Sequence, residues 1–275
     1  MKVQTENEVK STFDRKVFFG HLGLTFLIIG LCWGLCVILS INGLTVKNQP
    51  WIYLPWFLGG ISPAIASYVV LKKAKKVQGF FDWLKHVFDF KHHFGAYLLA
   101  IVLPVIQATL MCLISGCKRG LPLYYLPLMI VLMVFAGGLE EAGWRYVTFP
   151  ELNKKFGFIV ATFMTAVIWW LWHLPLFFIA GTSQFQKNFF VFGIMVLGMA
   201  FMLSAIRKLT DSVWLCVFCH SIVNSIGNFF HYDMYGSYLA SSITTATLIA
   251  ISLVLVFFVQ RKQTKAKQLC TNEKV

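Results

Sequence analysis

The sequence predicts an all-α membrane protein: a polytopic bundle of about eight transmembrane helices with one interfacial amphipathic helix. Three observations predict it. Of 275 residues, 58% are hydrophobic, with a mean hydropathy of +0.71, whereas a soluble chain is about 45–50% apolar. The excess falls in runs of about 20 residues, the length that crosses a hydrocarbon core. The basic residues gather at the ends of those runs. The net charge of +13 is therefore a matter of membrane topology, and a nucleic-acid partner is excluded.

Residues 1–17, MKVQTENEVKSTFDRKV, are polar and read as a cytoplasmic tail. The apolar run after them exceeds a signal-peptide core of about 7–15 residues and lacks a small-residue cleavage site, so it is a retained first span. Spans are expected at 18–42, 52–72, 94–115, 122–148, 157–180, 188–206, 211–231 and 240–260. The stretch 79–93, GFFDWLKHVFDFKHH, is too short and too charged to cross. Its Phe80, Phe81, Leu84, Val87 and Phe88 recur at helical spacing, which lays it along the membrane surface. The C-terminal RKQTKAKQLCTNEKV is expected to be a mobile polar tail. Seven cysteines occur, most of them inside apolar runs, where cysteine acts as a small hydrophobe. CVFC at 216–219 lies within a span, so neither a disulfide framework nor a zinc knuckle is implied.

An even number of spans puts both termini on one side. Lysine and arginine crowd the N-terminal tail, the second loop (Lys72 to Lys91), the fourth (Lys154, Lys155), the sixth (Arg207, Lys208) and the C-terminal tail. The alternate loops hold only Lys47, Lys118, Arg119 and Lys187. The bias places both termini in the cytoplasm and EEAGWR near the cytoplasmic end of the fourth span.

Charged side chains inside spans are costly and mark function. Of 11 acidic residues, only Glu140 and Glu141 fall well inside a span. Arg145, four residues after Glu141, shares its helix face and can pair with it, while Glu140 points about 100° away. Adjacent carboxylates in a low dielectric repel, which favours a proton on one of them. Such a group could take a proton from water. The plainer alternative is a structural ion-pair knot. His173 sits among aromatics in WWLWHLP, with Trp169 one turn before it. His220 and Asn224, four apart in HSIVNS, share a face and could form an interhelical clasp. Taken together, three spans each contribute polar groups that a shared cavity would satisfy. The inventory suits hydrolysis: a carboxylate for water, histidines to orient it or bind metal, and Asn/His donors for an oxyanion. Among the other histidines, His21 at the start of the first span, His86, His92 and His93 at the interface, and His231 beside Asp233 are not expected in the site. Gly137 and Gly138 are expected to admit a neighbouring helix.

EEAGWRYVTFPEL resembles the EExxxR motif of the CAAX-protease and bacteriocin-processing family, also called Abi. WWLWHLP resembles its second motif, an aromatic and a histidine separated by three residues, with Trp169 where the family usually has Phe. HSIVNS resembles its third, HxxxN. The order fits, with about 30 and then about 45 residues between motifs. On this resemblance 120–235 is the catalytic core, preceded by transmembrane helices over 18–119 and followed by a last helix and tail over 236–275. The resemblance implies an intramembrane endopeptidase acting near the cytoplasmic face on a membrane-associated peptide or protein. Glu140 would activate water with help from His173. His220 and Asn224 would stabilise the oxyanion, and Glu141 and Arg145 would support the site. No cofactor is expected; zinc is possible, and its ligands would be Glu140, His173 and His220. No HExxH is present, which favours metal-free chemistry. The alternatives are a non-catalytic membrane immunity or scaffold protein that binds a peptide or partner, and a proton-coupled transporter. The absence of a detectable inverted repeat weighs against a transporter.

Overall fold

The computed structural model describes residues 12–232 and 235–272, with residues 260 and 262–272 described by backbone alone. Most of the N-terminal tail, Asp233, Glu273, Lys274 and the side chain of Cys270 lie outside the described residues.

Helix α1 (Arg15–Ile41) starts where the Asp14 carboxylate accepts from the Val17 N–H at 3.1 Å, satisfying one of the orphan donors of a first turn. The expected span at 52–72 is two helices, α2 (Tyr53–Gly60) and α3 (Ser62–Lys73), bent by 47°. Pro63 explains the bend, since it fits a helix start but cannot continue one. The amphipathic helix α4 (Phe80–Val87) is shorter than expected. Its buried face is Trp83 and Val87, whereas Phe80 and Phe81 are exposed. Of the expected apolar face, Val87, Leu84 and Phe88 join the packed cluster, whereas Phe80 and Phe81 do not. α5 (Phe94–Ser115) has the expected bounds, with the His93 ring accepting from the Ala96 N–H at its start.

The expected span at 122–148 is interrupted. α6 (Leu126–Phe135) ends at Ala136, and Gly137 takes φ 143°. A 3₁₀ turn (Gly138–Glu140), the single turn α7 (Glu141–Gly143) and a π-helical turn (Trp144–Thr148) follow. These run into α8 (Phe149–Trp172), which is itself broken at Gly157, φ 75°. α9 (Phe189–Thr210) and α10 (Val213–Ile226) come next. α10 stops short of the expected 231, because Phe230–Tyr232 form strand β2, antiparallel to β1 (Cys117–Arg119), with Lys118 opposite His231. This small ribbon was not expected. α11 (Tyr238–Asn272) carries the helix through the expected C-terminal tail, whose Lys, Gln and Ala favour helix and whose sequence has no Gly or Pro.

The architecture is an α-helical polytopic membrane protein. Among the described residues five helical stretches are long and apolar enough to cross a membrane, and the bent α2–α3 pair makes a sixth. The eight expected spans are not all reached by that measure. The fourth and fifth fall within one stretch, Leu123–Phe178, and α10 is a shorter apolar helix. α9 is the centre: 67% of its apolar window is buried, against 33% or less in the other four stretches.

The bundle has two distinct ends. At one, Lys76 pairs with Asp14 at 2.9 Å, Lys154 with Glu151 at 2.6 Å, and the Asp14 N–H donates to Glu151 at 2.8 Å. This ties the starts of α1 and α8 to the end of α3, and Arg207 at the end of α9 donates to the Arg145 carbonyl at 2.9 Å. At the other end lies the β1–β2 ribbon. There the Ala180 N–H donates to Ser40 at 3.0 Å, and Asn188 bonds Tyr238 at 3.0 Å.

Candidate active site

The interruption after α6 turns Gly137–Arg145 into the bundle. Glu141 and Arg145 are completely buried. One Glu141 oxygen accepts from His220 Nδ1 at 2.9 Å, and the other stands 3.4 Å from Arg145 Nε. The Arg145 guanidinium also lies over the Trp169 ring, 5.2 Å from its centroid. Among the described residues its nitrogens meet no hydrogen-bond acceptor in good geometry, so the ion pair and the ring are what hold it.

Glu140 faces the other way. It accepts from Trp169 Nε1 at 2.8 Å and stands 3.9 Å from His173 Nε2. His173 Nδ1 is 2.8 Å from the Trp169 carbonyl. A carbonyl only accepts, so Nδ1 carries the proton and Nε2 turns its lone pair toward Glu140. Trp169 thus orients both groups, one through its side chain and one through its backbone.

His220 gives Nδ1–H to Glu141, which leaves Nε2 for the space beside Gly137. A Cβ at Gly137 would sit 3.7 Å from His220 Nε2 and would overlap Asn224 Nδ2. Both polar ends therefore occupy the room left by a missing side chain. Gly138 is the packing glycine: a Cβ there would come 3.0 Å from the Val217 carbonyl of α10.

Glu140, Trp169, His173, His220 and Asn224 line one cavity of about 540 Å³, walled elsewhere by aromatics such as Trp33, Trp56 and Phe192. Glu141 and Arg145 do not line it; they stand behind His220. The possible zinc set, Glu140 with His173 and His220, lines the cavity without forming a ligand group. Among the described residues no three His, Cys, Asp or Glu side chains are placed to hold a metal ion.

Sequence reasoning missed three features. Gly137, expected only to admit a neighbouring helix, forms part of the site through its positive φ and bare Cα. His21, not expected in the site, is fully buried. It reaches Pro63 O and Thr148 Oγ1, each at 3.1 Å, and meets the Trp144 ring edge-on, so it ties α1 to α3 and to the π turn. A histidine set inside an apolar run was the signal. Glu151, placed at a span end, is 5% exposed and gathers Lys154, Lys76 and the Asp14 amide.

The cavity also runs in an unexpected direction. The sequence puts the motif near the lysine-rich end of the fourth span and implies action near that face. Instead the cavity spans the first half of α9 (Phe192 to Met199) and the second half of α10 (His220 to Gly227). It continues to Ser183, Gln184, His231 and Tyr232, at the end opposite Lys76, Lys154 and Arg207. Glu140 is its floor.

Residues 122–226 match the family model described as type II CAAX prenyl endopeptidase Rce1-like, a stretch that contains all six residues from Glu140 to Asn224. Over 207 residues the chain is 22% identical to CAAX prenyl protease 2 of Methanococcus maripaludis, covering 70% of this chain and 73% of that protein. The chain is thus similar, across the segment that holds these six residues, to the Rce1-like type II CAAX prenyl endopeptidases.

Proposed function

We propose that the chain is an intramembrane endopeptidase that hydrolyses a peptide bond of a membrane-associated peptide or protein. It would cross the bilayer eight times, counting the α2–α3 pair, the two limbs of Leu123–Phe178 and α10, with both termini in the cytoplasm. The observation that carries the reading is that Glu140, His173, His220 and Asn224, from three separate helices, line one cavity in an otherwise apolar bundle.

The 3.9 Å between His173 Nε2 and Glu140 is too long for a direct hydrogen bond and suits one shared water. That water would give one hydrogen to His173 Nε2 and the other to the Glu140 carboxylate. As its oxygen attacks the peptide carbonyl carbon, Glu140 takes the proton and later passes it to the leaving amine. His220, carrying both protons beside Glu141, and the Asn224 amide donate to the developing oxyanion in the space beside Gly137. Arg145 pairs with Glu141 at 3.4 Å and so holds the carboxylate that orients His220. Every step uses groups of this chain, and the chemistry proposed is metal-free.

The test is cleavage of a panel of lipid-anchored, internally quenched peptides by purified protein in detergent. Glu140→Gln should lower kcat/KM by about 10²–10⁴, and Asn224→Ala should lower kcat by about 10²–10³, each with an unchanged melting temperature. Wild-type activity should survive a chelator. A Glu140→Gln protein as active as wild type would sink the reading. Activity lost in chelator and restored by zinc would overturn its metal-free form.

A further inference from the structure

The depth of the cavity and the distribution of charge combine to give the site a side. On α9 the cavity touches Phe192 to Met199 and nothing nearer Arg207. On α10 it touches His220 onward and nothing nearer Ser212. On α8 it touches the last turn, far from Lys154. Its rim includes the exposed Ser183 and His231 and the half-buried Gln184.

The opposite end is closed. Below Glu141, Val217 of α10 is completely buried, together with Val213, Val134, Ala142 and the α4 residues Trp83 and Val87. Phe88, just after α4, packs on Trp214 with ring centroids 5.7 Å apart. α4 therefore lies across this end as an apolar cover.

Charge identifies the faces. The closed end carries Arg15, Lys72 to Lys76, Lys154, Lys155, Arg207 and Lys208, whereas the open end carries Lys47, Lys118, Arg119 and Lys187. Basic short loops stay in the cytoplasm. The closed end is then cytoplasmic and the open end faces outward.

We infer that the cavity takes its substrate from the face of the membrane opposite the cytoplasm, so the bond cut lies in a segment of a membrane-anchored peptide that has already crossed the bilayer. This rests on the endopeptidase reading. Water for hydrolysis enters from the same face, and α4 shields Glu140 from the cytoplasm.

The native cysteines report the side without engineering. Cys117 is exposed on β1 at the open end; Cys270 lies in the C-terminal segment. In intact cells a membrane-impermeant maleimide should label Cys117, with the signal lost in Cys117→Ser. Cys270 should label only after permeabilisation. Labelling of Cys270 but not Cys117 from outside would overturn the inference. In parallel, acylated quenched peptides bearing a sulfonated fluorophore are added to right-side-out vesicles, inside-out vesicles and detergent extract. Cleavage dependent on Glu140 is expected in the first and third. Cleavage in inside-out vesicles and extract alone would refute outward access while leaving the endopeptidase standing. No cleavage even in extract would refute the endopeptidase, and this inference with it.

Discussion

Glu140 and Glu141 are neighbours in the chain and occupy opposite sides of a turn, which separates their work. Glu140 meets the cavity; Glu141 holds Arg145 and His220 behind it. Removing one partner of a buried ion pair leaves an uncompensated charge and costs about 3–5 kcal/mol. Glu141→Gln should therefore lower stability by that order in detergent unfolding. The double variant Glu141→Gln/Arg145→Met should recover part of the loss, because the buried positive charge is gone. A single variant as stable as wild type would show that Arg145 finds another partner. Gly137 offers a sharper test. Alanine there would push Asn224 aside and would hold a side chain at φ 143°. Gly137→Ala should lower kcat by about 10², the order seen for loss of an oxyanion donor, with little change in KM. Unchanged kcat would remove Gly137 from the site.

At the scale of elements, interruptions do the positioning. A straight helix through 122–148 would carry Glu140 along the wall of the bundle; the turn at Ala136–Gly137 brings it to the cavity floor. The bend between α2 and α3 presents Pro63, against which Gly143 packs without a side chain. A Cβ at Gly143 would lie 2.6 Å from the Pro63 carbonyl oxygen and 2.7 Å from its carbon, both backbone atoms that cannot swing away. Gly143→Ala should destabilise by about 1–3 kcal/mol, as overpacking does. Gly23→Ala on α1, where nothing lies within 4 Å of the added carbon, should leave the melting temperature unchanged. Equal effects from the two would refute the close approach. Gly and Pro mark such breaks in sequence, yet they do not say which way the chain turns next.

Across the whole molecule, the lysine-rich end is stitched by Asp14, Lys76, Glu151 and Lys154. The hydrogen bond from Lys76, helped by the Val17 amide, holds the Asp14 carboxyl below its ordinary value of 3.8. A carboxyl lowered in the folded state stabilises fully above its unfolded value and loses that contribution as pH falls through the folded value. The melting temperature should thus drop on acidification from about pH 5 to about pH 3, and Asp14→Asn should flatten part of that drop. An identical acid profile in Asp14→Asn would show that the pair contributes nothing. Because Asp14 is over a third exposed, the effect is expected to be small.

The sequence by itself determined the membrane setting, the bounds of α5 and the identity of the polar residues inside the bundle. Each follows from a property of one segment: the length of an apolar run, or the cost of a charge within it. The three motifs were legible because unusual residues stand out against apolar neighbours. Only the tertiary structure decided that Trp169 orients both Glu140 and His173, that His21 is buried, that Trp83 rather than Phe81 faces inward on α4, and that the cavity opens away from the lysine-rich end. These depend on contacts between residues far apart in the chain, and apolar periodicity in one helix does not say which other helix will meet it.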